Sequence, residues 1–97
     1  MDPTKLTAFV NTLFASLEAL PVLRRFAKIK AFLEQARIGI DDNITNIAAK
    51  IPANASTTTI IDTIFAYLET TFPQWAVELQ WLQVIVDALF ANVPVIP

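Results

Sequence analysis

Arg24, Arg25, Lys28 and Lys30 place four cations within seven residues. At helical spacing Arg24, Arg25 and Lys28 share one broad side, with Phe32 between them. Three uses fit such a cluster. It is a solvated face whose aliphatic stems cover Phe32, a contact for an acidic surface on this molecule or a neighbour, or a footprint for anionic lipid or nucleic acid. The last ranks lowest, and nucleic acid lowest of all, because the whole chain carries a net charge of −2.

Other groups offer little chemistry. Asp41 and Asp42 are adjacent carboxylates, but calcium takes about six to eight oxygen ligands, and helix capping accounts for both. Glu78 falls among Leu82, Ile85 and Leu89 and is expected to be paired or partly exposed. The sequence has no histidine or cysteine, so the common general base, the thiol nucleophile and the soft metal ligands are missing. Ser16 and Ser56 lie in no nucleophile motif, and one glycine is too few for a phosphate-binding loop. An enzyme is therefore not expected, and no catalytic, cofactor or metal residue is predicted.

Surface recognition is the better use of these residues. Trp75 and Trp81 are six apart and point in different directions on a helix. One is expected in the core and the other as an interface anchor, a role in which Trp is enriched. The uncharged tail Val93-Pro-Val-Ile-Pro97 is read either as a hook into a neighbour or as packing on its own bundle. The interface candidates are Arg24, Arg25, Lys28, Phe32, Trp75, Trp81, Val93, Val95 and Ile96.

The elements that position them follow from periodicity. Asp2 is an N-cap and Pro3 suits the first helical position. Leu6, Phe9, Val10, Leu13, Phe14, Leu17 and Leu20 then form one apolar face of helix 1. Its other face is small and neutral. Pro21 marks a break. Helix 2 is expected from about Val22 to Arg37, with Val22, Phe26, Ile29, Leu33 and Ala36 buried and Gly39 as C-cap. A short helix 3, capped by Asp41, Asp42 or Asn43, carries Ile44, Ile47, Ala48 and Ile51. Residues 52–56 read as a linker. Helix 4 runs from Ser56–Thr58 to about Thr71, burying Ile60, Ile61, Ile64, Phe65, Leu68 and Phe72. Helix 5 runs from Pro73 to Asn92 and is apolar around most of its circumference, which suits a central helix or one with a second partner.

Part of the chain occurs twice. Thr12–Glu18 and Thr63–Glu69 align without a gap as Thr, aliphatic, Phe, Ala, any residue, Leu, Glu. Helix–proline–helix thus recurs, with halves 1–39 and 56–97 joined by the short helix and linker of 40–55. The expected architecture is a single all-α domain, a four- to five-helix bundle of two helix–Pro–helix hairpins, with internal duplication favoured over convergence. The halves differ in charge. Residues 1–50 hold all seven cations and five acids, a net of +2; residues 51–97 hold four acids and no cation, a net of −4.

Composition points to a partner. Hydrophobic residues make up 55% and charged residues 16%, against usual values of about 45–50% (glycine included) and about 25%. A chain of 97 residues has little interior in which to hide that surplus. The expected function is a non-enzymatic structural or assembly protein, self-associating or a subunit of a larger assembly; the composition suits a virion component. The alternative is a peripheral membrane or apolar-ligand binder. The stretch Trp75–Val93 includes Glu78 and Asp87, each costing about 2.5–3.5 kcal/mol at mid-membrane, so no transmembrane span is expected. Met1-Asp2-Pro3 opens without a basic and apolar leader, which predicts no signal peptide and cytoplasmic synthesis.

Overall fold

The computed structural model describes residues 1–21 and 25–91. They form five α-helices and, among the described residues, no strand. The helices are α1 (Pro3–Glu18), α2 (Ala27–Asp42), α3 (Ile44–Ala49), α4 (Thr57–Thr71) and α5 (Ala76–Ala91), with one 3-10 turn at Pro73–Trp75. The all-α class read from periodicity is the class the chain adopts. The helices fall into two compact units, Met1–Ala53 and Asn54–Pro97, and the boundary lies inside the predicted linker.

In the first unit α1 starts as expected. The Asp2 carboxylate accepts from the Thr4 amide at 2.9 Å, with Pro3 in the first turn. Leu6, Val10, Leu13, Phe14 and Leu17 are buried along one face. The helix closes with the Ala19 and Leu20 amides donating to the Ala15 and Leu17 carbonyls. Pro21, lacking an N–H, could not extend that ladder. At the other end the Met1 nitrogen donates to the carbonyls of Ala48 (3.2 Å) and Ile51 (2.7 Å), fixing the start of α1 against the end of α3. Further along, Arg37 Nη2 donates to Asn11 Oδ1 at 2.8 Å, tying α2 to α1.

Three expectations for this unit are corrected. Helix α2 begins at Ala27 and runs to Asp42, five residues beyond the expected end. Gly39 is therefore inside the helix and not its cap, and no described glycine has positive φ. Nothing in a glycine forces a helix to stop; it only removes the penalty for stopping there. The buried face is Phe32, Leu33, Ala36 and Ile40, so Phe26, expected in the stripe, is instead an exposed N-cap residue in extended conformation. The short helix α3 follows its expected pattern: of its apolar positions Ile47, Ala48 and Ile51 are buried and Ile44 is half-buried, and the helix packs against α1. Asn43 precedes α3, but its side chain donates back to the Gly39 carbonyl at 3.0 Å.

The second unit is a helical hairpin. Ser56 Oγ accepts from the Thr59 amide at 3.2 Å and so caps α4. Ile60, Ile61, Ile64, Phe65 and Leu68 are buried, as the spacing predicts; Phe72, just beyond the helix end, is only half-buried. The chain turns through Pro73–Trp75, where the Trp75 amide donates to the Phe72 carbonyl at 2.9 Å. Helix α5 returns antiparallel to α4: Gln83 Nε2 donates to Asp62 Oδ1 at 2.8 Å, and Thr57, Thr58 and Ile61 share a cleft with Asp87 and Phe90.

The two units repeat one internal register. Asn11 and Asp62, 51 positions apart, each accept a side-chain hydrogen bond from the next long helix, given by Arg37 and Gln83, 46 positions apart. The same shifts map buried Val10, Leu13, Phe14 and Leu17 onto buried Ile61, Ile64, Phe65 and Leu68, and buried Leu33, Ala36 and Ile40 onto buried Leu79, Leu82 and Val86. Thr12 and Thr63 likewise make the same bond to the carbonyl four residues back, to Ala8 at 3.0 Å and Thr59 at 2.8 Å.

Candidate interaction surface

Helix α5 buries one row and displays another. Leu79, Leu82 and Val86 are in the core. On the opposite side Val77, Trp81 and Val84, spaced i, i+4, i+7, are 75%, 41% and 68% exposed. The i+4 and i+7 spacing brings them onto one face of a 3.6-residue helix. Ala88, also exposed, continues the row. Half-buried Glu78 and exposed Asp87 lie on either side of it. Glu78 is in the first turn of α5, where a negative charge suits the helix dipole.

The first unit displays a different surface. Arg25, Phe26, Lys28 and Lys30 are all exposed at and near the start of α2, Phe26 by 49%. Ala27 and Ala31 are exposed one turn apart between the two lysines, and Ile38 is 61% exposed further along. Under the shift of 46 positions Ala31 and Ile38 correspond to Val77 and Val84. The two hairpins thus point equivalent positions outward.

The sequence-predicted candidates separate into three groups. Arg25, Lys28 and Trp81 are on the surface, and Trp75 is half-buried in the turn before α5. Phe32 is 2% exposed; it does not lie beneath a layer of cations but in the core, because the inward face of α2 passes through it. Arg24, Val93, Val95 and Ile96 lie outside the described residues. Val77, Val84, Phe26 and Ile38 were missed as surface residues. The signal for the first two was present in the apolar circumference of helix 5.

The described core contains no buried polar or charged residue. No group of three metal-capable side chains occurs among the described residues. The cleft between the start of α4 and the end of α5 has a volume of about 310 Å³ and is partly open to solvent. Among the described residues no helix is long and apolar enough to cross a membrane. No protein-family model, curated protein or solved structure matches the chain. The fold therefore places it among all-α proteins, and its interaction surface is read from its own residues.

Proposed function

We propose that the chain is a non-enzymatic assembly protein that works by covering apolar helix faces against protein. The observation that carries this reading is the exposed Val77–Trp81–Val84 row on a helix whose opposite face is already committed to a core. Burying one large apolar side chain is worth about 1.5–3 kcal/mol, so three in a row form a strong driving force for contact. Contiguous apolar surface of this kind marks interaction sites, and a central Trp is a frequent binding anchor. The matching registers of the two hairpins support internal duplication, in which equivalent outward faces diverged in charge. Light scattering over a concentration series tests the reading. Wild-type protein is expected in species larger than a monomer or bound to a protein partner, and Trp81→Ser is expected to release it. A strictly monomeric wild type without a partner overturns the proposal.

The exposed Arg25, Phe26, Lys28 and Lys30 cluster favours one second reading, attachment to an anionic membrane surface. Flotation with anionic vesicles at low salt tests it, and protein that stays at the bottom of the gradient rules it out.

A further inference from the structure

We infer that the α5 row of one copy docks on the N-terminal half of α2 in a second copy, a contact between unlike surfaces that rests on the assembly reading above. The shapes fit. Helix α5 offers a projecting Val77, Trp81 and Val84, whereas α2 offers Ala27 and Ala31, which leave room above their methyl groups for an indole. Charge fits as well. Glu78 and Asp87 flank the α5 row, and Lys28 and Lys30 flank the two alanines, with Arg25 beside them. Pairing α5 with α5 brings the acids of two copies together, and residues 51–97 hold no cation to neutralise them. Pairing the starts of two α2 helices brings the cations together. Only the unlike pairing neutralises both. Exposed Glu34, one turn beyond Lys30, is the one acid within this half of α2 and leaves it net positive beside Arg25, Lys28 and Lys30; Asp41 and Asp42 lie about three turns further along α2 than Lys30.

Because the two surfaces differ, the contact is heterologous. Each docked pair still presents one free α5 row and one free α2 surface, so further copies add head to tail into rings or open chains. A single helix face covers less than the roughly 800 Å² per partner of a standard stable interface. The association is therefore expected to be weak, concentration-dependent and weakened by salt.

Charge exchange tests the pairing on the full chain. Sedimentation of wild type is expected to show growth with concentration, reduced at high salt. The double variants Glu78→Lys/Asp87→Lys and Lys28→Glu/Lys30→Glu are each expected to lose association by about tenfold or more, and an equimolar mixture of the two is expected to recover it. Since the protein has no cysteine, Ala31→Cys and Val84→Cys supply a second measurement that leaves every charge in place. Mixed and oxidised, they are expected to give the unlike dimer well above its statistical share. Predominant Val84→Cys self-dimers, or association unchanged in both charge variants, overturn the pairing while leaving an assembly role intact. A monomeric wild type that binds another protein through the α5 row also overturns the self-docking alone. A monomeric wild type that binds anionic vesicles and no protein overturns both.

Discussion

Gly39 is the residue at which sequence and structure give opposite predictions. As a left-handed cap it would resist a side chain, and alanine there would cost about 1 kcal/mol. Inside α2, with helical backbone on both sides, alanine lowers the entropy of the unfolded chain without strain. Gly39→Ala is expected to raise stability by about 0.5–1 kcal/mol in urea denaturation followed by circular dichroism. Position 85, its equivalent in the second hairpin, accommodates an isoleucine, so a Cβ has room in this register. The two side-chain caps behave more conventionally. Asp2→Ala and Ser56→Ala each remove an acceptor for an amide in a first turn and are expected to cost about 0.5–2 kcal/mol each.

Among the elements, the inward faces of the first helices were legible and those of the second helices only in part. In α1 and α4 a side-chain cap and an i, i+3, i+4 stripe agree, so both starts and most of the buried faces followed from sequence, with Phe9, Leu20 and Phe72 at the margins only half-buried. In α2 the cap residue is Phe26, whose side chain makes no capping bond, and apolar residues occupy more than one face. Periodicity then fits several phases, and packing against α1 selects the one that buries Phe32. Helix α5 has the same ambiguity in stronger form: its apolar residues circle the axis, and only α4 decides that Leu79 is inside and Val77 outside. The candidate surface was therefore half legible, with Trp81 named and its neighbours in the row not. The shared register has its own consequence for energetics. Leu13→Ala and Ile64→Ala, at equivalent buried positions, are each expected to cost about 2–5 kcal/mol, whereas Val77→Ser is expected to change monomer stability by less than about 0.5 kcal/mol. Double-mutant cycles on Asn11/Arg37 and Asp62/Gln83 are expected to give couplings of the same sign and similar small size, because both bonds bridge the same two positions of a hairpin.

For the whole molecule, the division into units coincides with a division in chemistry. Lys50 is exposed and is the last cation in the chain, three residues before the first unit ends at Ala53. A protease that cuts only after lysine or arginine therefore meets every one of its sites in the first unit. Trypsin added sparingly to the native protein is expected to open the exposed positions around Arg25, Lys28 and Lys30, while residues 51–97 appear in a mass spectrum as a single uncut peptide. The same partition applies to any reagent that labels lysine side chains. All of them modify the first unit and pass over the second, which makes the molecule its own internal control for experiments on either half.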